Sequence, residues 1–420
     1  MQLYSYQKDI LDKDPLKTGI FLATGLGKTV IALLLAEGNT LCVVPKTLRE
    51  DKTWQRNLEQ IDNHKITKLR VISKEDFKKL APSLRKFDTV ILDEAHQLAG
   101  ITPSTRYRKK VQIPRASQIF EGLCYYLKEY PPKRLYLVTA TPIRSPMAVL
   151  GLAWLLGVHW DYYKFRERFY FRIPIPHREI WTPKKDKQTM EKLAELVNKL
   201  GITGRMEDYV DVPEQTFVIK NVGLTKDQAR KLKVIHQEFP DPIVLIGKKH
   251  QIENGVLTGD EYNEPQIFND NKIEAIEEML LQYPKLLIFA KYKMQIQKIA
   301  KHFEKDIKVF TLTGDTKDRG QLMKDAEASE RCIVIAQSGI SAGYELPSFR
   351  CTIFASMDYS VVSYIQALGR TLRVNHLQKN LYVTLLAGEI DNAVNKAIQL
   401  KQDFNEKIYY EKGSKLWDPV

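Results

Sequence analysis

Ile20-Phe21-Leu22-Ala23-Thr24-Gly25-Leu26-Gly27-Lys28-Thr29 is an apolar run that breaks into two glycines and a lysine before a helical pattern resumes. Ile20 to Leu22 suit a strand, and residues 29–37 have helical spacing. Between them Gly25 and Gly27 allow a tight turn and close backbone approach, Lys28 brings a cation, and Thr29 sets a hydroxyl at a helix N-terminus. Converging backbone N–H groups, a cation and a hydroxyl that can ligate magnesium are what a triphosphate needs. A chance glycine turn ahead of a helix is the competing reading, and the strand-loop-helix context argues against it. Leu22 stands where the usual phosphate-loop pattern begins with glycine.

Outward from this loop, short runs rich in Ile, Val and Leu recur at 18–23, 41–45, 69–73, 89–93 and 135–139. Each is too short for a helix and reads as a strand covered on both faces. A second set follows at 286–290, 308–312, 332–336, 351–355 and 381–386. Helical spacing falls between the runs, as at 46–60, 291–303, 361–373 and 390–401, and Asn269-Asp270-Asn271 can cap a helix over 272–282. This alternation predicts two α/β domains with parallel sheets, over 1–150 and 266–420. Residues 151–265, aromatic and basic at first and then punctuated by proline, read as an inserted, mainly helical bridge.

A chain of 420 residues, 44% hydrophobic, can bury more than one core. Sixty-four Lys plus Arg against fifty-one Asp plus Glu leave a net charge of +13, which favours a polyanionic partner without specifying a fold. Cys42, Cys124, Cys332 and Cys351 lack metal-ligand spacing and read as reduced thiols. No apolar run approaches the roughly 18 residues of a membrane span. The expectation is a soluble, cytoplasmic protein, without a membrane partner and monomeric.

Asp93-Glu94-Ala95-His96 follows the apolar run 89–92, so its carboxylates fall at a strand's carboxyl end, where open α/β sheets bind ligands. Asp93 is placed to hold magnesium through water and Glu94 to orient and deprotonate an attacking water. Thr139-Ala140-Thr141-Pro142 ends another strand, with two hydroxyls that can reach the acidic motif. Gln366, Gly369, Arg370 and Arg373 are spaced to share one face of a helix, aiming two guanidiniums and an amide the same way. Beside a phosphate loop, such arginines suit the stabilisation of charge on a transferring γ-phosphate. Each of the last three motifs has an ordinary structural reading of its own, and their joint presence carries the argument.

With these residues in order, the chain resembles a superfamily 2 helicase or translocase of two RecA-like domains with a DEAH-box motif. Gln7 resembles the adenine-reading glutamine ahead of the phosphate loop. Residues 43–48 resemble motif Ia, 139–142 motif III, 337–343 motif V and 366–373 motif VI. The resemblance implies ATP and Mg2+ as cofactors. Ala23, Thr24, Gly25, Leu26, Gly27, Lys28, Thr29 and Gly343 would then join Gln7 around the nucleotide, with Thr29 and Asp93 on the metal. Lys28, Asp93, Glu94, Gln366, Arg370 and Arg373 would carry hydrolysis, with the nucleotide at the seam of the domains. His96, Thr139 and Thr141 would couple the site to movement. Pro45, Lys46, Thr47, Ser338 and Gly339 would touch the sugar-phosphate backbone, making binding sequence-independent and salt-sensitive.

Residues 205–213 and 222–228 are similar to the bridge of Swi/Snf-type translocases, whereas Gly369-Arg370-Thr371-Leu372-Arg373 has the form seen in strand-separating helicases. Compact phage-encoded branch-migration helicases combine such features, and this chain resembles them most. The expected function is ATP-dependent movement on single-stranded, forked or junction DNA, with unwinding or branch migration and thus a place in recombination, repair and replication. A duplex translocase that does not separate strands, an RNA helicase and a nucleotide-gated nucleic-acid clamp are the alternatives.

Overall fold

Every residue of Thr89–Asp93 and of Arg134–Val138 is buried, as strands covered on both faces must be. A computed structural model of the chain describes residues 3–108, 111–175, 178–209, 214–259, 261, 263–340, 346–371 and 379–400. The chain divides into two units, 1–210 and 211–420. Each is built on one six-stranded sheet, parallel throughout. The two α/β domains with parallel sheets expected from the sequence are present.

In the first unit, β1 (Lys17–Leu22), β2 (Glu37–Val44), β3 (Lys65–Ser73), β4 (Thr89–Asp93), β5 (Arg134–Val138) and β6 (Gly201–Gly204) lie in the order β6-β1-β5-β4-β2-β3. Phe21, Val43, Leu92 and Leu137 pack into one core with Phe120, Leu123 and Tyr126 of helix Gln118–Glu129. The core also takes in helix Pro146–Leu155, which is apolar all round and almost wholly buried, as such helices are. The second unit holds β7 (Gln215–Asn221), β8 (Lys285–Ala290), β9 (Lys308–Leu312), β10 (Cys332–Gln337), β11 (Cys351–Phe354) and β12 (Asn380–Leu386) in the order β7-β12-β11-β8-β10-β9. Its core joins Leu286, Ile288, Ile333, Ile335 and Ile353 to Ile276, Ile299 and Phe303.

Residues 151–265 are shared between the units. They carry helices Tyr162–Phe169, Lys187–Leu200 and Pro242–Glu253, and they also give one strand to each sheet, β6 beside β1 and β7 beside β12. Both strands escape hydropathy patterns, β6 for brevity and β7 because it is an edge strand with most of its side chains exposed. Gly201 lies opposite Gly19, and a Cβ there would fall 2.2 Å from the Gly19 carbonyl oxygen, so glycine is what lets β6 close on β1. The backbone N–H of Ala23 then donates to the Gly204 carbonyl at 3.0 Å, which ties the phosphate-loop sequence to β6.

Two antiparallel hairpins, Ile101–Arg108 with Val111–Ala116 and Tyr170–Ile175 with Arg178–Pro183, were also not apparent from hydropathy. The helix expected over 46–60 is two, Lys46–Glu50 and Thr53–Glu59, separated where Lys52 takes a left-handed conformation. All four cysteines are free thiols, with Cys42, Cys332 and Cys351 buried. Among the described residues no helix is long and apolar enough to cross a membrane.

Candidate nucleotide-binding site

The loop that follows β1 has the backbone its sequence demands. Gly25 and Gly27 take φ of 91° and 70°, and Gly27 caps the eight-residue helix Lys28–Leu35. The loop's N–H groups and the helix N-terminus thus meet at the carboxyl end of β1. Lys28 folds back, its Nζ donating to the Ala23 carbonyl at 3.0 Å, and Thr29 is half-buried beside it.

Gln7 is buried against this loop. Its Oε1 accepts from the Tyr4 backbone N–H at 3.1 Å and its Nε2 donates to the Leu26 carbonyl at 3.4 Å. A Cβ on Gly27 would lie 2.5 Å from that Nε2, so Gln7 and Gly27 pack as a matched pair. The Tyr6 hydroxyl donates to the same Leu26 carbonyl at 3.0 Å, and its ring stacks on Tyr209 with centroids 4.5 Å apart. Burial and the neighbouring Tyr4 push the Tyr6 hydroxyl up to about 12, so it stays a donor at neutral pH. Tyr6 was not anticipated; its position one residue before Gln7 in a helix was the available signal.

In the sheet β5 lies between β1 and β4, so the loops leaving these three strands are neighbours at one edge. Asp93, at the end of β4, is buried. Its Oδ1 accepts from the Glu94 backbone N–H at 2.9 Å and its Oδ2 from the indole Nε1 of Trp54 at 3.0 Å. Burial raises the carboxyl above its ordinary value, opposed by these two hydrogen bonds and by the Lys28 charge. Glu94 sits at φ 46°, ψ 47°, a left-handed conformation that is strained for a residue with a side chain.

His96 joins β4 to β5. Its Nδ1 lies 2.7 Å from Thr139 Oγ1, 3.4 Å from Thr141 Oγ1 and 3.3 Å from Glu94 Oε2. The Thr141 N–H donates to Thr139 Oγ1 at 3.1 Å and fixes the turn. Burial, with Arg144 and Lys74 nearby, takes the imidazole down to about 4, so it is neutral at physiological pH. The two hydroxyls therefore do meet the acidic motif, through its histidine.

Pro45 caps helix Lys46–Glu50, Thr47 is half-buried, and exposed Lys46 pairs with Glu50 at 3.6 Å. In the second unit Ser338 is buried, donating to the Ser356 carbonyl at 3.4 Å, and Gly339 is exposed with open space around it. Gly343 and Arg373 lie outside the described residues.

The arrangement expected around Arg370 requires correction. Helix Val361–Leu368 stops before it, so Gln366, Gly369 and Arg370 do not share a face of one continuous helix. Gly369 is the cap, and the Arg370 N–H turns back to Ala367 at 3.1 Å. The Leu368 carbonyl is taken by the Tyr382 hydroxyl at 3.1 Å, and the Arg370 carbonyl accepts from Leu346 at 3.0 Å. Arg370 is buried on this turn, with its Nε donating to the Gln366 carbonyl at 2.9 Å.

Residues 271–375 match the family described as Helicase conserved C-terminal domain. The second unit is similar to that domain. No curated protein matches the chain. Among solved structures, the chain is similar to the Sulfolobus solfataricus SWI2/SNF2 ATPase core in complex with dsDNA, at 17% identity and a TM-score of 0.37, over 99% of this chain and 95% of that one.

Proposed function

We propose that this protein is an ATP-hydrolysing DNA helicase or translocase, acting on forked or junction DNA by unwinding or branch migration. One observation carries most of the reading: neighbouring strands of one sheet end in a glycine-cradled lysine loop, a buried aspartate and a threonine-bound histidine. The helicase C-terminal match in the second unit and the +13 charge support a nucleic-acid polymer.

The donor set fits a nucleotide phosphate with Mg2+. The left-handed glycines open the backbone N–H groups of the loop, Lys28 supplies the cation, and Thr29 with Asp93 supplies hard oxygen donors. Mg2+ bound there would neutralise charge on the phosphates. Glu94 orients and deprotonates the water, while His96 and Thr139 fix the backbone that carries it. Gln7 supports the loop and, with Ala23, Thr24, Leu26 and Gly343, surrounds the nucleotide. Arg370, Arg373 and Gln366 stabilise charge on the γ-phosphate. Pro45, Lys46, Thr47, Ser338 and Gly339 contact the DNA backbone.

The test is ATP turnover with and without DNA, alongside strand displacement on forked, four-way and blunt substrates in DNA and RNA versions. Lys28→Ala and Glu94→Gln abolish turnover, whereas Arg370→Ala keeps much of the ATP affinity and slows hydrolysis. Normal hydrolysis by Arg370→Ala removes that residue from the site, and a wild-type chain inert toward ATP on every polymer ends the proposal.

A further inference from the structure

The second hairpin of the first unit has two unlike faces. Tyr170 is buried, and Arg172 pairs across the ladder with Trp181, whose ring lies 3.8 Å from the buried Arg166 guanidinium. The opposite face carries Phe171, Ile173 and Ile180, and these apolar side chains are 58%, 45% and 40% exposed. Ile173 and Ile180 are directly opposed in the ladder and Phe171 stands two residues from Ile173, so the three form one patch.

The patch is held on a firm base. Helix Tyr162–Phe169 binds the first hairpin through the Tyr162 hydroxyl, 3.0 Å from both the Thr102 and Ser104 carbonyls, and through Arg166, 3.2 Å from the Pro103 carbonyl. Phe165 and Phe169 of the same helix are buried in the core. The helix runs straight into the second hairpin, and Lys184 closes the junction, its Nζ bonding the Glu167 and Arg168 carbonyls and lying 5.3 Å from the Phe171 ring. Exposed apolar side chains gathered side by side on a fixed hairpin, unlike single ones, mark an interaction surface.

The charge around it selects the occupant. Residues 160–187 contain eight Lys or Arg against four Asp or Glu; Lys164, Arg168 and Lys185 are exposed, as is Arg172 on the hairpin's other face. A partner that offers flat apolar faces joined by negative charge is single-stranded nucleic acid, whose bases stack on aromatic rings while its phosphates meet cations. We propose that the hairpin Tyr170–Ile175/Arg178–Pro183 is a stacking platform for unpaired bases, with Phe171 as the contacting ring and Ile173 and Ile180 as its flank. This rests on the nucleic-acid reading above and adds to it a contact outside the motif segments.

Fluorescence anisotropy with a short labelled oligothymidylate tests it on the full chain. Phe171→Ala weakens binding about tenfold, equal to about 1.4 kcal/mol, while affinity for blunt duplex and the melting temperature stay unchanged. Phe171→Trp retains the affinity and shows quenched tryptophan emission when the oligomer is added. Unchanged oligothymidylate affinity in Phe171→Ala overturns the platform, as does an equal loss on duplex. So does a variant that merely stops the chain from self-associating in sedimentation. In each case DNA-stimulated ATP turnover by the wild type leaves the proposed function standing, whereas a wild type that neither binds nucleic acid nor turns over ATP sinks both.

Discussion

The Trp54 indole donates to Oδ2 of Asp93 at 3.0 Å inside the first unit, although the two residues lie on different elements, helix Thr53–Glu59 and β4. Together with the Glu94 N–H on Oδ1 it holds the carboxylate in one orientation. A buried carboxylate that must meet a metal needs such support. Trp54→Phe keeps the ring and removes the donor. The expected result is a Mg2+ requirement raised about tenfold or more, read as the Mg2+ dependence of binding of a fluorescent ADP analogue, with ADP affinity in EDTA unchanged. Equal Mg2+ dependence in the two proteins would make Trp54 a packing residue only.

Gly27 is fixed by two constraints, its φ of 70° and the Gln7 amide, 2.5 Å from where a Cβ would stand. Gly27→Ala strains the backbone by roughly 1–2 kcal/mol and pushes Gln7 off the loop. Nucleotide affinity should fall more than tenfold, and Gln7→Ala combined with Gly27→Ala should regain part of it by clearing the contact. Calorimetric titration with ADP reads both.

His96 is neutral in the folded chain down to about pH 4, while an unfolded histidine takes its proton near its ordinary value of 6.5. As pH falls between these limits the unfolded state binds the proton first, so stability is full above 6.5 and declines toward 4. The share due to this one group is on the order of 3 kcal/mol at most. His250 is also buried and held below its ordinary value, so it adds to the same decline. Urea melts across this range should show a shallower slope for His96→Gln, which can still bond Thr139.

In the second unit, buried Lys272 donates from Nζ to Asp391 Oδ2, Asn254 Oδ1 and the Ala355 carbonyl, each at 2.7 Å. Burial works against ionising Asp391, and the Lys272 charge with the His250 hydrogen bond outweighs it, keeping the carboxyl well below its usual range. Lys272→Met strands that charge and should cost about 3–5 kcal/mol. Lys272→Met with Asp391→Asn should cost less than the two single changes summed, which denaturant unfolding of all three variants measures.

Ten of the twelve strands of the two six-stranded sheets were legible: the edge strands β3 and β9 are only partly buried, but burial on both faces of the central strands forces continuous apolar runs such as those at 89–93 and 332–336. β6 and β7 were not legible, since a four-residue strand that begins and ends in glycine and an edge strand with exposed side chains carry no such run. The loop at Lys28 and the Asp93–His96 stretch could be read because phosphate and metal chemistry restrict residue type at fixed spacing. Trp54 could not, because its partner Asp93 is distant in sequence and only the tertiary fold brings them together. Spacing likewise suggested an unbroken helix through Arg370, but the turn at Gly369 is decided by Tyr382 and Leu346, which local periodicity does not contain.

The Ala23 to Gly204 hydrogen bond, with Tyr6 stacked on Tyr209, means that the recognisable signature residues and the smallest self-sufficient piece of this protein are different things. A fragment cut just after Pro142 would keep every diagnostic residue of the first unit and lose the strand that braces its grip. Dissection by motif boundaries would yield a piece with the right letters and a sagging floor.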